Sequence, residues 1–337
     1  MRAGSRAGRG RPTVAFVAGG VVLLGALVLH LGLGSVYIPP WQVVDVLLGH
    51  PADKYQRIIV WNLRLPRSLI ALTAGAMLGV AGALAQRLTR NPLADPGLIG
   101  VSAGSILGIV VCLSVFPTVV AHQALLPFAG MVGALLSIAA VYLLTQRLTG
   151  DPYRFALEGI ILSAVLASIT SLLLIRNGTE LPTVLLWMIG SLNAKVWPDW
   201  NTLWPWAVVT IPAGLMCARA ANALRFDDDI ATGLGFRVRT ARLGLFLAAA
   251  TLTAGAVSVV GDIWFIGLIG PHIARRIVGH DGRRLLPMSA LVSALLLLLA
   301  DLLIQLLPGN LSTVPDGAVT AMLGAPFFLY LLVRSRR

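Results

Sequence analysis

From residue 98 to residue 146 the chain contains no Asp, Glu, Lys or Arg, a stretch of 49 residues. Water cannot face so long an uncharged surface, but lipid can, provided helices satisfy the backbone hydrogen bonds internally. Pro117, His122 and Pro127 divide the stretch into room for two spans and a short outer turn. Two more apolar runs cover residues 13–34 and 68–86, of 22 and 19 residues. About 20 residues of helix cross the roughly 30 Å hydrocarbon layer. The first run follows Arg2, Arg6, Arg9 and Arg11. A cleaved signal peptide has a shorter apolar core of about 7–15 residues, so this run reads as a first transmembrane helix with its basic end in the cytoplasm.

The 337 residues are 57% hydrophobic and 12% charged, about half the roughly 25% charge of a soluble domain. An all-α polytopic membrane protein is the class that fits. The net charge of +12 lies between apolar runs rather than on one soluble face, so no nucleic-acid partner is expected. Cys112 and Cys217 sit inside apolar runs without paired spacing and read as structural thiols.

The most shaped stretch spans residues 64–104. Arg64 and Arg67 flank Pro66, an apolar run follows, and Arg90, Asn91-Pro92 and Asp95-Pro96 then punctuate a loop. Each X-Pro step disfavours continued helix. Gly75, Gly79 and Ala83, and beyond the loop Gly100, Gly104 and Gly108, place small residues four apart. Such faces allow close helix approach in a bilayer, so this stretch is expected to form a tightly packed hairpin.

Further along, Trp41, Trp61 and Asp53-Lys54 fit a loop on the outer surface, and 176–200, with Trp187, Trp197 and Trp200, fits an outer interfacial segment. Spans are expected near 155–175, 203–221, 286–306 and 317–333. With these, 20 of the 26 Lys and Arg fall in inner segments and six (Lys54, Arg57, Arg64, Arg67, Arg176, Lys195) outside. The positive-inside rule then puts both termini in the cytoplasm. Between Arg242 and Arg275 two crossings must fit in about 32 residues, where two full helices need about 40. One is expected to be short or broken near Gly261, Gly267 or Pro271, or to run past Arg275, with His272 bracing a break at Pro271. The residues alone leave eight or ten spans open.

No G-x-x-x-x-G-K-[ST] phosphate loop is present; the two lysines, Lys54 and Lys195, do not follow glycine. No HExxH, paired cysteines or Ser/His/Asp constellation occurs, so no catalytic residue, metal ligand or cofactor is expected, and any energy source lies outside the chain. Asp227, Asp228 and Asp229 can start a short helix with Ile230 and Leu234 on it and Gly233 and Gly235 ending it. A partner's groove would suit that helix, though an ordinary solvated loop accounts for the same residues. Glu158 and Asp301 are acids within spans, functional candidates by default; Asp301 and Gln305, four apart, can share a hydrogen bond.

The motifs LRLPR (63–67), NPLADPGLIGVSAG (91–104), WMIGSL (187–192), FIGLIGPHIAR (265–275) and TAMLGAPFFLYLL (320–332) resemble, in order and from about residue 63 onward, the permease subunits of iron–siderophore, haem and cobalamin ABC importers. The resemblance implies one permease domain over 1–337, with ten spans, a basic cytoplasmic tail at 1–12 and a cytoplasmic coupling loop at 222–241. It implies that Asp227, Asp228, Asp229, Ile230, Leu234 and Gly235 couple to two ATPase subunits, which use the ATP. Arg64 and Arg67 would dock a periplasmic or lipid-anchored substrate-binding protein; Asn91, Leu93, Pro152 and Tyr153 would gate the pathway. Family members often carry a third docking arginine and a glutamate where this chain has Gln305 and Thr313. That departure favours a heterodimer with a second permease over a homodimer. The expected cargo is a ferric siderophore, with haem or cobalamin as alternatives, carried across a bacterial cytoplasmic membrane. A proton-driven transporter working through Glu158 and Asp301 is the rival from another class.

Overall fold

The computed structural model describes residues 10–51, 53–115, 125–145, 152–177, 185, 187–225, 228–233, 235, 237–308 and 314–335. Among them there is no β-strand. From the N-terminus the helices are α1 (Gly10–Gly32), α2 (Pro40–Leu47), α3 (Lys54–Arg57), a π-helical stretch (Ile58–Arg64) leading into α4 (Leu65–Leu88), then α5 (Val101–Val115), α6 (Leu126–Thr145) and α7 (Pro152–Asn177). They continue as α8 (Trp197–Met216), α9 (Ala218–Ala223), α10 (Asp228–Gly233), α11 (Val238–Val260), α12 (Ile266–Val278), α13 (Gly282–Gln305) and α14 (Asp316–Ser335). Among the described residues six helical stretches are long and apolar enough to cross a membrane: Pro12–Gly32, Lys54–Leu88, Leu126–Leu144, Leu157–Arg176, Val238–Val260 and Gly282–Gln305. Shorter apolar helices are Val101–Val115 and Asp316–Leu329. The chain is an all-α protein with several membrane-crossing helices.

Helix α4 is the axis. Pro66 stands in its first turn, where the chain passes from π-helical to α-helical geometry, and after Arg67 no charge follows until Arg87. Helices α8, α11, α12 and α13 pack around it, and its middle is buried on every side, from Ala74 to Leu88 with only Ala76 less than fully covered. The small residues make this possible. A Cβ on Gly82 would overlap the Gly267 carbonyl of α12, and Gly75 and Gly79 lie against the backbone of α13 at Ser289, Ser293 and Ala294.

The expected hairpin between α4 and α5 does not form as a packed pair. The glycines of α5, Gly104 and Gly108, face Gly133, Ser137 and Ala129 of α6 instead. Small residues predict that a backbone comes close; they do not say which one. Between the two helices Asp95 caps a single 3-10 turn, Pro96–Ile99, by accepting from Gly97 N at 2.8 Å.

The crowded region after Arg242 resolves into one full helix and one short one. Helix α11 ends at Gly261, whose φ of +76° is a left-handed conformation open to glycine. Helix α12 has 13 residues and runs past Arg275 to Val278. Pro271 lies inside it without ending it. The expected break at Pro271 is therefore absent, and His272 rests edge-on against Phe327 at 5.6 Å. The irregular backbone around the real break is satisfied by protein, as a bilayer requires. Ser191 N donates to Val260 O (2.8 Å), Asp262 N to Trp187 O (3.0 Å) and Gly317 N to Gly190 O (3.0 Å).

Beside α1, α2 buries Val43 and Val46 against Leu31, Ile38 and Val60 and exposes Trp41, Val44 and Leu47. Trp197 Nε1 donates to Trp61 O at 3.0 Å, and the two indoles lie 5.8 Å apart.

Candidate functional site

Helix α10 hangs between α9 and α11, and one carboxylate fixes it. Asp228 Oδ1 accepts from Arg90 Nη2 at 2.7 Å and from Arg242 Nη2 at 2.9 Å, and its Oδ2 accepts from Arg242 at 3.0 Å. Charge-assisted bonds of this kind are stronger than neutral ones, and an acid in a first helical turn also faces the favourable end of the helix dipole. Arg90 also donates through Nε to Leu224 O at 3.4 Å, and its own φ of +52° marks the end of α4. Asp229 is exposed, Ile230 is 51% exposed, and Ala231 is buried beneath them. The helix therefore offers an apolar side chain outward while its acid ties it inward. Gly235 closes the turn, donating to Thr232 O at 2.9 Å with φ +83°. Asp227 and Leu234 lie outside the described residues.

Directly after Arg90 comes the candidate gate. Asn91 Oδ1 accepts from Leu93 N at 2.9 Å, an Asx turn that fixes the Asn91-Pro92-Leu93 corner. Asn91 is exposed and Leu93 half-buried. Pro152 and Tyr153 open α7, their side chains outside the description. The candidate gate and the candidate coupling helix are thus adjacent, joined by Arg90. The sequence reading counted Arg90 among the inner charges and missed this role; the available signal was an arginine set directly before Asn-Pro.

The N-terminal end of α4 carries the two candidate docking arginines, and both are engaged within the chain. Arg64, 7% exposed, donates to the carbonyls of Leu31 (2.8 Å) and Val36 (2.6 Å). Arg67 grips Asp301 of α13 with two nitrogens, its Nε at 2.8 Å from Oδ2 and 3.0 Å from Oδ1. His30 Nε2 lies 2.7 Å from Asp301 Oδ2. Ser68 donates to Arg64 O at 2.7 Å, and its oxygen lies 2.8 Å from His30 Nδ1. Gln305 donates to Asp301 at 3.2 Å, the i,i+4 bond expected from their spacing. Asp301 thus ties α1, α4 and α13 together. Asp316, fully buried at the start of α14, accepts from Leu192 N at 2.5 Å. His30, Ser68 and Asp316 were invisible as partners in sequence, separated from the cluster by as many as 271 residues.

The comparisons with known proteins agree with this architecture. The model of the FecCD transport family matches residues 22–334. The chain belongs to the FecCD transport family. A ferric-citrate import permease of Bacillus subtilis, YfmE, is 36% identical over 322 residues, covering 96% of this chain and 95% of the relative. A cobalamin import permease of Halobacterium salinarum, BtuC, is 36% identical over 299 residues, covering 87% and 79%. A solved structure described as an inward-facing, metal-chelate type ABC transporter superposes with a TM-score of 0.83 at 28% identity, covering 96% of this chain and 99% of the other. FecCD membership makes the chain a multi-pass permease subunit of the ABC importer type, a type whose ATPase site is on other subunits.

Proposed function

We propose that this FecCD-family chain is the membrane half of a binding-protein-dependent importer that carries a ferric siderophore across a bacterial cytoplasmic membrane. Ten spans, both termini in the cytoplasm, and a heterodimeric partner permease complete the reading. Haem or cobalamin as cargo is the alternative, since a ferric-citrate and a cobalamin permease are equally similar to the chain.

The observation that carries the mechanism is the Arg90–Asp228–Arg242 junction. A displacement imposed on α10 by an ATPase reaches the Asn91–Leu93 corner through a single ion-paired side chain. Ile230 and Asp229 face the ATPase; Asp228 and Arg90 pass the movement on. On the outer side the binding protein docks above Arg67, while Arg64 braces the floor by holding α1 and the following loop. Iron enclosed in a chelate needs no ligands from the pathway wall, only width and weak contacts.

The test is uptake of a radiolabelled ferric chelate, with ATP hydrolysis measured in parallel, in proteoliposomes holding the chain and its co-purifying partners. Asp228→Asn and Arg90→Gln should leave assembly intact and cut uptake per ATP roughly tenfold, about 1.4 kcal/mol of coupling. Unchanged uptake would sink the junction's role. Failure of any ATPase subunit to co-purify would sink the importer reading itself.

A further inference from the structure

At the inner ends of α4 and α12 lies a second arginine cluster that the transport reading does not use. Arg87 is 9% exposed; its Nη2 donates to His280 O at 2.6 Å, and its Nε is buried with no hydrogen-bond partner among the described residues. Arg275 repeats the pattern: Nη2 donates to Gln86 Oε1 at 2.6 Å and a buried Nε is unmatched. Arg225 is brought to the same place by Asn222. That side chain donates to Asp281 Oδ1 at 2.8 Å and accepts from Gly282 N at 2.7 Å, pinning the 222–225 turn onto the 280–282 turn. Arg225 itself is exposed.

The imidazole between these turns registers the convergence. His280 is held below its ordinary range by partial desolvation and then by Arg225, Arg275 and Arg87. One described acid lies nearby, Asp281, and its carboxylate already caps α13 through Arg283 N and binds Asn222. The dipoles at the C-terminal ends of α4 and α12 favour a cation each, which accounts for Arg87 and Arg275 taken singly. They do not account for a third guanidinium near two buried, unmatched donors, each of which destabilises the fold unless an acceptor arrives.

We propose that Arg87, Arg225 and Arg275 form a binding site for a phosphate oxyanion at the cytoplasmic surface of this permease. Guanidinium forks match phosphate oxygens in geometry and charge. The phosphate comes either from the headgroup of an acidic phospholipid of the inner leaflet or from free phosphate in the cytoplasm; basic pockets at the inner ends of transmembrane helices suit both. The site is independent of the cargo, and it neighbours the coupling junction, since Arg225 follows Leu224, whose carbonyl accepts from Arg90.

The experiment uses the full-length protein, delipidated in a neutral detergent, with histidine-labelled NMR following the titration of His280 and native mass spectrometry following bound lipid. The probes are inorganic phosphate, phosphatidylglycerol and, for comparison, phosphatidylcholine. An occupied site offsets part of the positive charge of the three guanidiniums and moves the His280 midpoint upward. Phosphatidylglycerol should be retained about tenfold over phosphatidylcholine if the lipid is the source, whereas a response to inorganic phosphate alone assigns the free anion. Arg225→Gln, on the surface, should weaken either response several-fold with the fold intact, and Arg275→Gln should do the same. Arg283→Gln, exposed and outside the cluster, should not. The proposal is overturned if no phosphate probe moves His280, or if Arg283→Gln weakens binding as much as Arg225→Gln. It is equally overturned if only an added ATPase subunit moves the resonance, which would make the cluster a protein-docking surface.

Discussion

Helix α4 places buried arginine at both of its ends, and the two ends treat it differently. At the outer end Arg67 meets a carboxylate, Asp301, which His30 and Gln305 also contact. At the inner end Arg87 and Arg275 meet a backbone carbonyl and a neutral amide, with donors left over. A buried charge that finds its opposite within the chain is a fixed joint. A buried charge that does not is an appeal to something outside. The Arg67 cluster is thus closed within the chain, while the Arg87 and Arg275 cluster keeps buried donors unmatched among the described residues.

Removing Asp301 should be the most damaging way to probe this contrast. Asp301→Ala leaves Arg67 and His30 buried without their shared partner, and loss of one member of a buried pair costs about 3–5 kcal/mol. Thermal unfolding in detergent would show it; a melting temperature equal to that of the parent would mean the outer joint is not a joint. Next in size, Arg64→Met should loosen α1 from α4 by removing two bonds to carbonyls, at about 1.5–3 kcal/mol for a charged donor, read as faster hydrogen exchange at Leu33 and Ile38. The inner end should respond in the opposite sense. Arg225→Gln, tested without phosphate or acidic lipid, should change stability by no more than about 0.5 kcal/mol; a large loss would show that Arg225 is architectural after all.

The smallest expected effect is on pH dependence. His280 binds its proton less readily folded than unfolded, where its pKa is about 6.5. Its contribution to stability is thus complete above about pH 6.5 and is lost as the pH falls through the folded value, because the unfolded chain takes up the proton first. His280→Gln should flatten that part of the profile, and so should saturating the arginine cluster with anion. Identical slopes for both proteins would remove His280 as a reporter of the cluster.

Much of the fold was legible because it follows from local rules. Charge-free runs marked helices, and Gly261 marked a real end because a left-handed residue without Cβ stops a helix wherever it falls. Pro271 misled for the complementary reason. Six residues into a short helix, it removes one hydrogen bond that the first turns of α12 can do without. The glycines of α4 and α5 announced close contacts truthfully, yet the partners were α12, α13 and α6, chosen by the global packing. Site residues divided along the same line. The shape of the Asn91–Leu93 corner was readable from neighbours two residues apart. The grip of Arg67 on Asp301 spans 234 positions and could not be read at all.

One feature of the outer loop reaches further than its location. The π-helical stretch from Ile58 to Arg64 does not interrupt the helix; it joins α3 to α4, giving one continuous rod of 35 residues from Lys54 to Leu88. At 1.5 Å per residue such a rod measures about 50 Å, against a hydrocarbon layer of about 30 Å. One end stands among the interfacial tryptophans, and the other stops two residues short of Arg90. A rigid shaft of that length, tilted by about 5°, carries one tip about 4 Å relative to the other. One unbroken helical path thus links the Trp61–Trp197 indole pair to the Asn91–Leu93 corner, and it is held closest to a neighbour where Gly82 presses against Gly267.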